Sequence, residues 1–264
     1  MQKFKTKLIY PIFISHIGCP FQCIYCNQHF ISNQNEIDWD NTLFQVKKFI
    51  YKSNAPKEIA FFGGSFTCLN QTEMSYYFDK FKDIIDDQTY FRISTRPDAI
   101  NSDVLNFLKS KRVNTIELGI QSFSDIELAA IDRGYDSIVA INACGHVKIY
   151  DFNLCVQLLI GLPKANASTN AQTIHTLKII NPDFVRLYPL LVLKNTFLET
   201  MYNNGKYTPL SIEEAVNICA LFYKACERQG TKVIKMGLHG DIDKDVVVAG
   251  PYHERFGELV KQHI

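Results

Sequence analysis

Short apolar segments alternate with amphipathic segments six times between residues 8 and 189 of this chain. The apolar segments are rich in Ile, Val and Phe and end at turn residues, which predicts strands, and the segments between them have helical periodicity. Strands joined by single helices imply right-handed parallel crossovers. We therefore predict an α/β fold: a partial (β/α)6 TIM-like barrel with a short C-terminal α/β extension. The predicted strands are 8–15, 59–62, 90–95, 113–120, 152–160 and 184–188, and the predicted helices are 38–51, 72–85, 102–109, 124–146 with a break near Gly134, and 167–179.

The length and the 47% hydrophobic content fit one large α/β domain with an appendix. We assign residues 1–195 to the barrel core, whose strands look apolar on both faces, and residues 196–264 to the extension. The extension contains a helix over 211–229, with Ser211 as its N-cap, and a seventh strand over 232–236. The chain stops inside what looks like a new helix, so we interpret it as a truncated or minimal form.

The unusual residues of the chain follow the predicted strands. In barrels of this kind the chemistry gathers at the carboxyl ends of the strands. Strand one leads into a cysteine loop, strand two into Gly-Gly-Ser, strand three into Thr-Arg-Pro-Asp, strand four into Gly-Ile-Gln-Ser, strand five into Gly-Leu-Pro and strand six into Tyr-Pro. We expect these segments to meet at one end of the barrel.

The cysteine loop has the spacing C-x3-C-x2-C, formed by Cys19, Cys23 and Cys26. Three thiolates on one short loop can hold a 4Fe-4S cluster and leave one iron open to a small molecule. Structural zinc is the second interpretation, because it requires four ligands and no second Cys or His pair follows. A disulfide framework is not favoured, since the N-terminus lacks the apolar segment of a secretory leader. The remaining cysteines are interpreted as small buried hydrophobes; they are Cys68, Cys144, Cys155, Cys219 and Cys226.

Composition excludes little else. The net charge of +1 gives no general basic field, so nucleic-acid binding is not indicated by charge. No apolar run reaches the roughly eighteen residues that a membrane span needs, and we expect a cytoplasmic protein without membrane contact.

These motifs together resemble those of the radical S-adenosylmethionine (SAM) enzymes. Within that superfamily, FFGGSFT (61–67), STRPD (94–98), ELGIQS (117–122) and YPL (188–190) are similar to the Elongator catalytic-subunit branch and its short bacterial relatives. The oxygen-independent coproporphyrinogen oxidases are cousins with similar motifs. The resemblance covers residues 8–193 and implies a 4Fe-4S cluster on the three cysteines, with SAM as the second cofactor.

The resemblance also implies how SAM is held. Tyr25 would lie against the adenine, Gly63 and Gly64 would offer backbone groups to the methionyl amine because they lack side chains, and Arg133 would pair with the carboxylate. Gln157 would face the ribose, although a structural partner inside its apolar strand is a serious alternative. The full predicted set is Tyr25, Gly63, Gly64, Ser65, Thr95, Gln121, Arg133, Gln157 and Tyr188. At the substrate mouth we consider Asp241, His239, His253 and Tyr252, although packing is the preferred interpretation for each.

Two departures from the family pattern limit what is carried over. Ser94 stands where many relatives have Glu, so a carboxylate contact to the ribose is absent or supplied otherwise. The residues after Tyr188 are too few for the acetyltransferase domain of the Elongator subunit.

The sequence thus predicts reductive cleavage of SAM to a 5′-deoxyadenosyl radical that abstracts hydrogen from a substrate. The resemblance favours a tRNA base and implies a low-potential electron donor such as flavodoxin or ferredoxin. The alternatives are oxidation of a porphyrinogen or other small molecule, and a cluster- or haem-carrying module without turnover.

Overall fold

A computed structural model describes residues 8–20, 22–27, 37–238 and 244–264. Its main sheet has seven parallel strands in the order β1-β2-β3-β4-β5-β6-β8. The strands are β1 Leu8–Phe13, β2 Lys57–Phe62, β3 Thr89–Thr95, β4 Val113–Gln121, β5 Asn153–Ile160, β6 Phe184–Pro189, β7 Val192–Leu193, β8 Lys232–Met236 and β9 Val247–Ala249.

Helices connect successive strands of this sheet, as the crossover rule requires. They are α1 Trp39–Tyr51, α2 Gln71–Asp79, α3 Ser102–Ser110, α4 Asp125–Ala130, α5 Ser137–Ile149, α6 Ala167–Ile180, α7 Phe197–Asn203, α8 Ile212–Arg228 and α9 Phe256–His263. The curled sheet forms a half-barrel, so the predicted partial TIM-like barrel is confirmed. The strand expected over 232–236 pairs with β6 and extends the sheet.

Side-chain caps set where several helices begin. Asp38 accepts a hydrogen bond from the Asn41 backbone N–H at the start of α1. Ser211 and Glu214 form a reciprocal capping box at the start of α8, which satisfies two backbone donors that the helix leaves open. The predicted break near Gly134 is confirmed, because α4 and α5 are separate helices.

One face of the main strands packs against the helices, and the other lines the inside of the curl. Ile59 and Phe61 on β2, like Ile116 and Leu118 on β4, belong to one large apolar core. The intervening position Glu117 is fully buried and carries a charge. Because side chains alternate between faces along a strand, the inner face is partly polar. The prediction of strands apolar on both faces is therefore wrong for the inside of the barrel, where the buried charges are paired with each other.

A second, smaller unit packs against the cysteine loop. Strands β7 and β9 form an antiparallel pair, and Lys194 donates its backbone N–H to the Val246 carbonyl. Leu190, Val192 and Leu198 form an apolar cluster with neighbours that include Ile24 of the cysteine loop. This cluster attaches the segment after β6 to the loop that carries the predicted metal ligands.

Candidate active site

A cavity of about 210 Å³ lies where the strands end. The structure brings to its wall every residue that the sequence analysis assigned to the cluster or to SAM: Cys19, Cys23, Tyr25, Cys26, Gly63, Gly64, Ser65, Thr95, Gln121, Arg133, Gln157 and Tyr188. These residues come from the cysteine loop, from β2 to β6 or the positions just after these strands, and, for Arg133, from the turn between α4 and α5. Their common location was expected; the role of each remains a prediction.

Backbone hydrogen bonds hold the cysteine loop against the end of β2. His16 donates its N–H to the Gly63 carbonyl at 2.9 Å, and Ser65 donates to the Ile17 carbonyl at 2.9 Å. At the other side of the loop, Leu198 at the start of α7 donates its N–H to the Ile24 carbonyl at 2.8 Å. The loop is therefore fixed from two directions by parts of the chain that are distant in sequence.

Close packing and backbone conformation explain why glycines follow β2, which the sequence alone did not reveal. A Cβ on Gly64 would lie 2.4 Å from the Ile17 carbonyl oxygen and 2.8 Å from that of Ile14, closer than a Cβ can approach. A Cβ on Gly18 would lie 2.4 Å from the Ser65 carbonyl oxygen. Gly63 has a φ of 87°, in the left-handed region that favours glycine. At least Gly64 is thus required by contact with the cysteine loop, whatever ligand it also approaches.

The three loop thiols are half-buried, and those of Cys19 and Cys23 contact polar side chains. Cys19 Sγ lies 3.4 Å from Ser65 Oγ, and Cys23 Sγ accepts a hydrogen bond from Arg133 Nη1 at 3.0 Å. Among the described residues, no three His, Cys, Asp or Glu side chains are arranged to hold a single metal ion. Thiols on one loop with N–H and O–H donors beside them suit an iron–sulfur cluster, whose ligands bind different irons.

Arg133 and Tyr135 form a linked pair beside the thiols. Arg133 Nε donates to the Tyr135 hydroxyl at 3.0 Å, and its Nη2 donates to the Gly119 carbonyl at 2.6 Å. The Tyr135 hydroxyl donates to the same carbonyl at 2.8 Å. Burial raises the pKa of Tyr135 to about 12, although Arg133 beside it acts in the opposite direction. Tyr135 therefore stays protonated and remains a hydrogen-bond donor at neutral pH.

Other predicted SAM contacts already have partners within the protein. Gln157 Nε2 donates to Glu117 Oε2 at 2.7 Å and to Ser94 Oγ at 3.3 Å, so the structural alternative considered for Gln157 is present. The hydroxyls of Thr95 and Thr67 lie 2.7 Å apart. Gln121 ends β4 with a φ of 71°, next to a register shift in the pairing with β5.

A buried ionic network that was not predicted from the sequence reaches the floor of the cavity through Glu117 and Arg186. Glu58, Arg92, Glu117 and Arg186 come from β2, β3, β4 and β6 and contact one another in that order. Arg92 donates to Glu58 at 2.8 Å and to Glu117 at 2.7 Å, and Arg186 Nη2 donates to Glu117 at 3.0 Å. The sequence contained a signal for this network, because a charged residue inside an apolar strand requires a buried partner, as was argued for Gln157.

Glu117 is ionised at neutral pH despite its burial. Burial alone would raise its pKa, but Arg186 and Arg92, helped by the hydrogen bond from Gln157, hold the pKa below its usual value. Glu117 and Arg186 both contribute to the cavity wall. The floor of the cavity is therefore a fixed array of charges rather than an apolar plug.

The structure also tests the interpretation of the single cysteines. Cys144, Cys155, Cys219 and Cys226 are fully buried, and burial raises the pKa of each thiol, as expected for inert core residues. Cys68 is exposed, so the buried interpretation is wrong there. It ends a short 3-10 turn in which Phe66 and Thr67 take the buried positions.

Two of the four residues considered for the substrate mouth are described by the structure, and neither lines the cavity. His239 and Asp241 lie outside the described residues. Tyr252 and His253 are described but are not among the residues that line the cavity. His253 Nδ1 accepts the Arg255 backbone N–H at 3.1 Å, a local contact before α9 that fits a packing role.

Comparison with known families identifies this arrangement. Residues 13–177 match the model of the radical SAM superfamily, and residues 182–264 match that of the radical SAM C-terminal domain. The chain belongs to the radical SAM superfamily. Membership of this superfamily implies an iron–sulfur cluster and SAM.

The individual relatives agree with the branch predicted from the motifs. A tRNA uridine(34) acetyltransferase of Methanocaldococcus infernus is 27% identical over 175 residues, covering 65% of this chain and 32% of that protein. The haem chaperone HemW of Bacillus subtilis is 26% identical over 221 residues, covering 80% of this chain and 57% of that protein. The chain thus spans about a third to a little over half of these two relatives.

Solved structures share the fold. Elp3 of Methanocaldococcus infernus matches with a TM-score of 0.76 at 19% identity, over 97% of this chain and 62% of that one. Coproporphyrinogen III oxidase (HemN) of Escherichia coli matches with a TM-score of 0.62 at 20% identity, over 84% and 52%. The predicted resemblance to the Elongator branch and to the coproporphyrinogen oxidases is confirmed. Within the described part of this radical SAM protein, no helix is long and apolar enough to cross a membrane.

Proposed function

We propose that this radical SAM protein is an enzyme that holds a 4Fe-4S cluster on Cys19, Cys23 and Cys26 and binds SAM in the adjoining cavity. The observation that carries the proposal is the convergence of the three thiols with all nine predicted SAM contacts on one cavity wall. When bound, the reduced cluster and SAM supply a 5′-deoxyadenosyl radical that abstracts hydrogen from a substrate.

The chain's own residues divide the cavity into distinct regions. Gly63, Gly64 and Ser65 form the side next to the cysteine loop, where the two glycines have no side chain that would keep a polar ligand from the backbone. Tyr25 would lie against the adenine. Arg133 has three of its nitrogens committed to protein partners and still has one N–H on each of Nη1 and Nη2 beyond those bonds, which leaves capacity for the SAM carboxylate.

The substrate that we favour is a tRNA base. The tRNA acetyltransferase match supports this choice, and the cavity combines a polar floor at Glu117 and Arg186 with an apolar wall at Leu190, Leu191 and Leu193. A planar heterocycle with polar edges suits such a lining. The net charge of +1 gives no additional support for RNA, so the proposal rests on the relative and the cavity.

Haem or porphyrinogen chemistry is the second candidate. The similarity to the haem chaperone HemW covers 80% of this chain, more than the similarity to the acetyltransferase covers. In this alternative the protein either oxidises a porphyrinogen or other small molecule, or it carries haem or the cluster without turnover. Absorbance titration with haem tests the carrier form, because axial ligation produces a Soret shift on saturable binding.

Anaerobic reconstitution with iron and sulfide tests the enzyme proposal directly. The protein should acquire a cluster and, with dithionite and SAM, form 5′-deoxyadenosine that is measured by chromatography. Replacing Cys19, Cys23 or Cys26 with Ala should abolish both, because each thiolate binds a different iron. Cys68→Ala is the matched control, since this exposed thiol lies outside the motif and its loss should leave both readouts intact.

The results separate the candidates. A wild-type protein that assembles no cluster, or a motif variant that keeps full cluster content, would contradict the proposal. Cluster assembly with haem binding but without 5′-deoxyadenosine would favour the carrier. For the RNA substrate, nucleosides of bulk tRNA are compared between cells with and without the protein, and identical profiles would argue against tRNA. A reduced flavodoxin or ferredoxin should replace dithionite, since we propose such a donor as the partner.

A further inference from the structure

Arg133 makes a direct contact with one of the proposed cluster ligands. Its Nη1 donates to Cys23 Sγ at 3.0 Å, while Nε and Nη2 are held by the Tyr135 hydroxyl and the Gly119 carbonyl. Only 4% of the residue is exposed. Each of the three guanidinium nitrogens therefore has a different partner, and Nη1, on the side of the cysteine loop, donates to a thiol.

The guanidinium is held in this orientation by its surroundings. The Tyr135 hydroxyl also donates to the Gly119 carbonyl, which closes a triangle of hydrogen bonds. Arg96 Nη2 donates to the Arg133 carbonyl, and the Tyr135 ring lies 5.3 Å from the Arg96 guanidinium and 5.1 Å from that of Arg133. Rotating Arg133 away from Cys23 would break several of these contacts at once.

Charge balance also favours an interaction between Arg133 and the cluster ligands. Two other arginines of the cavity wall have carboxylate partners: Arg96 forms a bidentate pair with Asp98, and Arg186 pairs with Glu117. The described partners of Arg133 are a phenol, a carbonyl and a thiol. A buried cation requires an anion nearby, and the deprotonated cysteines of a cluster would supply it.

We infer that Arg133 raises the reduction potential of the iron–sulfur cluster through its hydrogen bond to Cys23, and that Tyr135 is the positioning residue for this bond. The inference rests on the proposed function and adds to the predicted contact with SAM. Hydrogen bonds to a cluster sulfur and a nearby positive charge stabilise the more negative, reduced form. Burial strengthens both effects because the local dielectric is low.

A redox titration without SAM tests the inference separately from turnover. Wild-type protein and the variants Arg133→Met, Arg133→Lys and Tyr135→Phe are reconstituted anaerobically, and the reduced cluster is followed by electron paramagnetic resonance across poised potentials. For R133M, we expect the ratio of reduced to oxidised cluster at a fixed potential to fall about tenfold, which is about 59 mV for a one-electron couple. R133K, which keeps the charge but not the fork of donors, should lie between R133M and wild type.

Arg186→Met is the control for charge alone, because Arg186 lies on the same cavity wall and none of its described hydrogen bonds goes to a loop thiol. Its shift should be clearly smaller than that of R133M. An unchanged potential in R133M, or an equal shift in R186M, would overturn the inference. If R133M retains no cluster, Y135F decides: a lower potential supports the inference and an unchanged one refutes it. A wild-type protein without a cluster would instead refute the proposed function.

Discussion

Replacing Glu117 with Gln should destabilise the fold far more than the loss of one surface charge. Glu117 is fully buried and accepts from Arg92 at 2.7 Å, from Arg186 at 3.0 Å and from Gln157 at 2.7 Å. The neutral amide leaves Arg186 without its carboxylate, and Arg92 keeps only Glu58. Removing one partner from a buried ionic contact costs about 3–5 kcal/mol, because the remaining charge stays buried and unpaired.

The assay is thermal unfolding followed by circular dichroism. A loss of stability of this size should lower the melting temperature by roughly 6 to 20 °C, because each kcal/mol shifts it by about 2–4 °C in a chain of about this length. Glu258→Gln is the matched control, since Glu258 also pairs with an arginine, Arg255 at 3.4 Å, but both side chains are mostly exposed. The control should melt like the wild type. If E117Q also melts within a degree or two of the wild type, the network does not stabilise the fold as argued.

The pH dependence of the folding stability provides a second test with the same variant. The folded protein lowers the pKa of Glu117 below its usual 4.5, so the charged form is favoured by folding. Its contribution is therefore fully present above the unfolded pKa and is lost as the pH falls below it. The difference in stability between wild type and E117Q should narrow as the pH is lowered below about 4.5. A constant difference down to the acid limit would contradict the assignment of the charge to Glu117.

Two further predictions concern the cysteine loop and its neighbour Tyr135. Gly64→Ala should introduce about 1–3 kcal/mol of strain and lower the iron content after reconstitution, because its Cβ would overlap the Ile17 carbonyl oxygen. Gly145→Ala in α5, whose new Cβ would meet nothing within 4 Å beyond its chain neighbours and the backbone of its own helix, should instead stabilise the helix by about 1 kcal/mol. In an alkaline absorbance titration, Tyr135→Phe should remove a phenol with a pKa of about 12, and loss of a component near 10 would contradict the burial argument.

Most of the fold could be predicted from local pattern. The apolar segments, their turn residues, the start of the first helix near Asp38 and the N-cap Ser211 were visible in the sequence and lie where they were expected. The helix predicted over 72–85 ends at Asp79, and the chain continues in tighter turns. Phe78 and Phe81 are both buried, and the Phe81 backbone N–H bonds the Phe78 carbonyl three residues earlier, as in a turn rather than an α-helix.

The location of the site was predictable, whereas its internal contacts were not. Strand order brings the ends of β1 to β6 to one edge whatever the side chains do, so motifs that follow the strands must meet there. The partners of Gln157 and Arg133 depend on side-chain directions and on the curl of the sheet, which no local pattern encodes. The contact that makes Gly64 necessary likewise joins the end of β2 to Ile17, which lies 47 positions earlier in the chain.

The departure noted at Ser94 has a structural counterpart on the next strand. Ser94 on β3 is the register partner of Glu117 on β4, and Gln157 on β5 hydrogen-bonds both side chains. All three line the cavity, so a carboxylate is present at the level of the sheet where β3 lacks one. Both oxygens of Glu117, however, already accept from within the protein: Oε1 from Arg92 and Arg186, and Oε2 from Gln157 and Arg186. The carboxylate beside Ser94 therefore serves the network that stabilises the barrel, and the expectation that the carboxylate contact to the ribose is absent or supplied otherwise stays a prediction.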